Sequence, residues 1–195
     1  MFNLIFLNIL ISLINSNPNK ATDFTKQLAA IYRYLLSNDK QDIVLLAEEL
    51  KFAQQYSQIL KIRYGEGIKI NIPQPTDVAV TSMRIVPTAM QILIENACKH
   101  NIISTSNPLI INAFIDDNKI IVTNNLSPRP IPADSTGVGL KGLKEKYKII
   151  AESENKISKM LFKVAVEFLD KYMTNKKATN VHELTITTDL THKGT

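Results

Sequence analysis

The residues best suited to chemistry lie in one stretch, 85–101, which reads IVPTAMQILIENACKHN. Wound as a helix, it places Met90, Leu93, Ile94, Ala97 and Cys98 at i, i+3, i+4, i+7 and i+8, an apolar stripe that must face a core. The neighbouring face gathers Gln91, Glu95, Asn96 and Lys99, with His100 one turn beyond Asn96. Carboxylate, amide, ammonium and imidazole side by side suit phosphate and metal chemistry. Pro87 is expected to open this helix, because its fixed φ and missing N–H do no harm in a first turn.

A chain of 195 residues can build one substantial core to hold such a helix, with a smaller helical appendage. A hydrophobic content of 45% with 21% charged residues marks a globular protein, not a disordered one. The formal net charge is +5, but Lys and Arg are scattered and no block of like charges appears, so a nucleic-acid partner is not expected. The single Cys98 sits on the apolar stripe, where it reads as a small core residue, and a lone cysteine fits a reducing, cytoplasmic setting.

The flanking elements are periodic. Residues 1–14 (MFNLIFLNILISLI) are apolar, but Asn3 and Asn8 interrupt them, no basic segment precedes them and they are too short for a bilayer span. They read as a buried or dimer-forming helix. After the turn NSNPNK, residues 21–36 place Phe24, Leu28, Ile31 and Leu35 at helical spacing, which predicts an αα-hairpin that can pair with a second copy as a four-helix bundle. A further helix over 44–64 carries Leu46, Leu50, Ala53, Tyr56 and Leu60 on one side and ends at Gly65 and Gly67. Ile68–Ile72 alternates as a strand; Leu109–Ile115 and Lys119–Thr123 form an antiparallel hairpin about Asp116-Asp117-Asn118. After a proline-bearing loop, 136–147 (TGVGLKGLKEKY) pairs a glycine turn with the start of an amphipathic helix, where N–H groups and the helix dipole can receive a phosphate; a plain tight turn fits Gly137 and Gly139 as well. Residues 159–168 alternate as a strand, and 171–195 read as a loosely docked tail in which VHELTITTDL offers a short strand.

The order of these motifs over about residues 1–168 resembles the LytS/YehU-type group of two-component sensor histidine kinases. The family's N-box with its preceding proline, IPxxxxQxLIENAxKH, is matched by Val86-Pro87 through Gln91, Leu93, Glu95, Asn96, Ala97, Lys99 and His100. Upstream, Val44, Leu46, Glu49 and Leu50, then Tyr56, Arg63 and Tyr64, fit its linker-helix signature; downstream, Thr136-Gly137-Val138-Gly139-Leu140 fits its second glycine box, with Lys146-Tyr147 near its usual Arg-Leu or Arg-Tyr pair. The resemblance implies an α+β chain: helical dimerisation and linker region at 1–64, then a GHKL (Bergerat) ATP-binding α/β sandwich with a mixed sheet at 65–170, then the tail at 171–195. It implies ATP and Mg²⁺ as cofactors. Asn96 would coordinate the Mg²⁺ that bridges the phosphates, Glu95 would orient the attacking group, and Lys99, His100, Gly137, Gly139 and Leu140 would lie about the nucleotide. Such roles fit phosphoryl transfer, which needs positioning and charge neutralisation more than covalent chemistry, and an amide oxygen is a suitable hard ligand for Mg²⁺.

Two departures accompany the match. The first glycine box, DNG or DxG in most relatives, is Asn124-Asn125-Leu126 here, so Asn124 would accept the adenine amino group's hydrogen bond with an uncharged oxygen. The acceptor segment, aligned on Leu7-Asn8, puts Met1 where the phosphoaccepting histidine belongs; His182 and His192 lie in the tail. The expectation is an ATP-binding kinase core that pairs through its N-terminal helices, serves a response regulator and does not phosphorylate itself in cis, with any membrane anchor in an upstream segment. Two other readings use the same fold: a non-enzymatic pseudokinase that regulates a full-length kinase, and a GHKL protein of the anti-sigma or gyrase and Hsp90 kind. The linker signature argues against the last.

Overall fold

The computed structural model describes residues 2–76, 83–116, 119–129, 138–153 and 181–187. Met1, the glycine Gly137, the expected strand at 159–168 and most of the tail lie outside the described residues.

Helices α1 (Phe2–Ser16) and α2 (Pro18–Asn38) form the expected hairpin about Asn17. Asn17 caps α2, its side-chain oxygen accepting from Lys20 N at 3.0 Å, and Pro18 occupies the first turn, where its missing N–H costs nothing. Phe24 and Ile31 are buried, Leu28 and Leu35 pack half-buried against the core, and an edge-on contact of Phe6 with Phe24 (centroids 6.3 Å apart) joins the two helices.

The two-residue strand β1 (Val44–Leu45) leads into α3 (Leu46–Tyr64). All five residues of the predicted α3 stripe, Leu46, Leu50, Ala53, Tyr56 and Leu60, are buried, each larger side chain contributing about 1.5–3 kcal/mol of transfer free energy. Gly65 ends the helix at φ +54, a left-handed conformation in which only glycine is at ease, and its N–H donates to Lys61 O.

A 3₁₀ turn, Gly65–Gly67, feeds β2 (Ile68–Asn71). Strand β3 (Arg84–Ile85) pairs antiparallel with β1, Val44 opposite Ile85, and Leu46 N donates to Met83 O at 2.8 Å. This ladder brings the chain that enters α4 (Ala89–His100) beside the start of α3. The main sheet has the order β2-β4-β5-β6, with β4 at Leu109–Asp116, β5 at Lys119–Asn125 and β6 at Val181–Thr187. Strands β2 and β4 are parallel, β4 and β5 antiparallel, β5 and β6 antiparallel, which makes the sheet mixed. The tail thus supplies a seven-residue strand in full register, from Lys119 opposite Thr187 to Asn125 opposite Val181.

One face of the sheet, with Ile68, Ile70, Leu109, Ile111, Ile120 and Val122, joins a core shared with Leu93, Ile94 and Ala97 of α4 and with Leu143, Tyr147 and Ile150 of α5 (Val138–Ser153). Helices, a mixed sheet and one core running from the hairpin to α5 make the architecture α+β.

Candidate functional site

Helix α4 begins at Ala89, two residues later than the proline predicts. Val86 to Thr88 form a turn closed by Ala89 N on Val86 O, and Thr88 takes φ +67. Left-handed backbone is unfavourable for a β-branched residue and interrupts helix propagation there. Thr88 offers no side-chain cap to α4. The cap comes from α3: Glu49 Oε2 accepts from Thr88 N at 3.0 Å and Oε1 from Met90 N at 2.9 Å. A carboxylate is the favoured partner of a helix N-terminus, whose free N–H groups and dipole are positive. Glu49 is fully buried and also accepts from Tyr34 Oη of α2 at 2.5 Å. Burial pushes its pKa up to about 7, with the three hydrogen bonds opposing the shift. Burial, then the adjoining Glu49, holds the Tyr34 phenol above its ordinary range, so Tyr34 is the donor.

The expected apolar stripe of α4, Met90, Leu93, Ile94, Ala97 and Cys98, is buried throughout. Burial pushes the Cys98 thiol up to about 12, which leaves it an inert core residue. On the polar face, Glu95 Oε1 accepts from Gln91 Nε2 at 2.7 Å and from Tyr56 Oη of α3 at 3.2 Å, so two donors fix the carboxylate. Burial keeps the Tyr56 phenol protonated. Asn96 Nδ2 and Gln91 Oε1 are buried without a hydrogen-bond partner among the described residues. Buried polar atoms are normally satisfied, so Asn96 Nδ2 is open to an acceptor such as a phosphate oxygen and Gln91 Oε1 to a donor. Lys99 and His100 occupy the last turn, where cations are favoured by the dipole.

The end of α4 is stitched to the segment that follows β5. Asn101, buried, donates from Nδ2 to Ala97 O and accepts Ser127 N on Oδ1 at 2.8 Å; Ile102 N donates to Ser127 O at 2.7 Å. Arg129 N donates to His100 O, and Arg129 Nε to Asn101 O at 2.9 Å. Asn124 therefore lies on the strand whose exit runs along His100 and Asn101. It lies opposite Ile111, on the side of the sheet that carries Ile120 and Val122, is 8% exposed, and donates from Nδ2 to Asn125 O at 2.7 Å. Asn125 is occupied structurally, accepting from Ile110 N and donating to Pro108 O.

At the other border, α5 starts against α4. A Cβ placed on Gly139 would meet Ile92 Cγ2 at 3.5 Å, Leu140 packs half-buried on the core, and Tyr147 Oη accepts from Val86 N at 3.4 Å. Of the predicted site residues, Glu95, Asn96, Lys99 and His100 share the polar face of α4, Asn124 and Gly139-Leu140 come from its two bordering segments, and Gly137 lies outside the described residues. In the sequence Glu49 stands out only as part of a signature, and no motif marks the roles of Tyr34 and Asn101. Glu49 was visible as a lone acid on the apolar stripe of α3, three residues from Leu46 and four from Ala53. Among the described residues no cluster of three His, Cys, Asp or Glu side chains could hold a metal, and no helix is long and apolar enough to cross a membrane.

The histidine kinase family profile matches residues 1–68. The sensor histidine kinase/phosphatase LytS of Staphylococcus aureus strain MRSA252, and those of strains Mu50 and N315, are 30% identical to the chain over 94 residues. That stretch is 48% of this chain and 16% of each relative, so the chain spans only a small part of their length. The family profile thus covers the hairpin and α3, and the similarity to LytS extends over nearly half of this sequence.

Proposed function

We propose that the chain is the ATP-binding catalytic core of a bacterial two-component sensor histidine kinase of the GHKL kind, paired as a homodimer and acting toward a response regulator. The observation that carries this reading is the buried, unpartnered Nδ2 donor of Asn96, suited to a phosphate oxygen, on a helix face bordered by the Asn124 strand exit and by the start of α5. Mg²⁺ holds few protein ligands and keeps water and phosphate oxygens, so Asn96 Oδ1 would be enough to hold it beside a nucleotide, with Nδ2 left to donate to a phosphate oxygen. The bound Mg-ATP supplies the transferable phosphoryl group. Glu95, held by Gln91 and Tyr56, would orient the attacking nitrogen; Lys99 would offer positive charge and His100 a hydrogen bond to phosphate oxygens; Gly139 and Leu140 would border the nucleotide from α5; Asn124 would read the adenine amino group.

Leu7, Ile11 and Ile14 of α1 and Leu36 of α2 are exposed, and the α1 residues recur at i, i+4 and i+7. An unpartnered stripe of this kind supports pairing through the N-terminal helices, in a cytoplasmic setting. His100 ends α4 and His182 lies on β6, neither on the hairpin, which supports failure of autophosphorylation in cis.

A pseudokinase that regulates a full-length kinase is the second reading, favoured by the structural engagement of Asn125 where the family carries a glycine-bearing box. A mixed dimer with an acceptor-bearing LytS-type kinase whose own Asn is disabled separates the two. The kinase reading predicts radiolabel from γ-labelled ATP on the relative's histidine, lost on Glu95→Ala or Asn96→Ala. Absence of label with Mg-ATP bound would establish the pseudokinase.

A further inference from the structure

We propose that Tyr34 and Glu49 are positioning residues that make the first turn of α4 depend on the seating of α2, so that a shift of the hairpin is felt at the helix bearing Glu95 and Asn96. The nucleotide half of this proposal rests on the function proposed above; the mechanical half does not.

Helix starts are commonly capped from within by a Ser, Thr, Asp or Asn side chain. Helix α4 is instead capped by a carboxylate from α3, and that carboxylate is held by a phenol from α2: Tyr34 Oη and Thr88 N converge on the same Oε2, at 2.5 and 3.0 Å. Glu49 is fully buried beside Leu46 and Leu50, where an ionised group is costly unless every lone pair is engaged. The Tyr34 hydroxyl is its side-chain donor; the other two donors are the α4 amides themselves.

A second connection runs through the rings. Tyr34 stacks on Phe52 of α3 at 4.1 Å and 14°, Phe52 lies 6.4 Å from Tyr56 at 24°, and the Tyr56 hydroxyl reaches Glu95. One residue of α2 is thus linked to α4 by two routes through α3, to its N-terminus by the hydrogen bonds of Glu49 and to Glu95 by the rings of Phe52 and Tyr56. Close-packed rings transmit displacement because the interior has little free volume. The start of α4 is defined by its neighbours rather than by its own sequence.

Tyr34→Phe isolates the effect, since it keeps the stacked ring and removes only the donor. In the full chain at a pH above the Glu49 titration, amide exchange at Thr88 and Met90 should accelerate about tenfold, while amides of Leu93 to Cys98 stay unchanged. Leu28→Ala, on the same helix and away from Glu49, should not produce this selective change. Glu49→Gln should reproduce it, and the double variant should add nothing, as for two members of one network. The same Tyr34→Phe protein should bind Mg-ATP several-fold more weakly, with Leu28→Ala unaffected. Unchanged exchange at Thr88 and Met90, or acceleration spread evenly over all helices, overturns the mechanical proposal. Faster exchange with unchanged Mg-ATP affinity overturns its nucleotide half. A wild-type chain that binds no Mg-ATP overturns the function proposed above and leaves the exchange result to decide the relay.

Discussion

The hydroxyl of Tyr56 in α3 donates to Glu95 Oε1 in α4 at 3.2 Å, so a buried residue of the preceding helix sets the orientation of the carboxylate on the polar face. Tyr56 is 1% exposed and its ring belongs to the core, whereas Glu95 stands half-buried. Core and site meet in this pair.

Tyr56→Phe keeps the packed ring and frees one side of Glu95, which Gln91 still holds at 2.7 Å. Urea unfolding should show a loss of about 1–2 kcal/mol. Label transfer to an acceptor-bearing partner should fall several-fold while Mg-ATP affinity stays nearly constant, because orientation acts in the transition state rather than in ground-state binding. A pure loss of affinity with unchanged transfer rate would assign Tyr56 to binding instead.

The buried Glu49 makes stability depend on pH. Its value rises from an ordinary 4.5 to about 7 on folding, chiefly by burial, so between these limits the native chain holds a proton that the unfolded chain releases. The contribution is full below pH 4.5 and is lost as pH rises through about 7. Unfolding midpoints of Glu49→Gln should therefore fall less steeply than wild type across this window. Parallel pH profiles for the two proteins would refute the assignment.

Among the exposed apolar residues of α1, Ile11 stands 59% exposed between Leu7 and Ile14, in the middle of the stripe. Ile11→Glu should convert a dimer to monomers in light scattering without lowering the unfolding midpoint, since a residue exposed in the single chain contributes little to its own core. A monomeric wild type, or a variant that stays dimeric, would place the pairing surface elsewhere.

The periodic parts of the fold were legible because burial follows spacing. The α3 stripe and the α4 stripe are both buried as their sequence intervals require, and the β4–β5 hairpin follows its turn residues. What escaped is what depends on residues far apart. Pro87 predicts a helix start that Thr88, at φ +67, delays to Ala89, and only the folded chain brings Glu49 to supply the missing cap from 39 positions away. Strand β6 carries a modest signal, yet seven residues of β5 pair with it, because a ladder is set by the partner strand as much as by propensity. On α4, the shared face of Glu95, Asn96, Lys99 and His100 was legible from helical spacing alone. Their framing by Asn101, Ser127 and Arg129 was not, since those hydrogen bonds join segments without any shared period.

The central claim is that the polar face of α4 holds Mg-ATP, and calorimetric titration of the intact chain with Mg-ATP up to millimolar nucleotide tests it most directly. A saturable heat is predicted for the wild type, with affinity at least about tenfold weaker, or some 1.4 kcal/mol, in Asn96→Ala of unchanged circular dichroism. No detectable heat from the wild type, or equal affinity in Asn96→Ala, would contradict it.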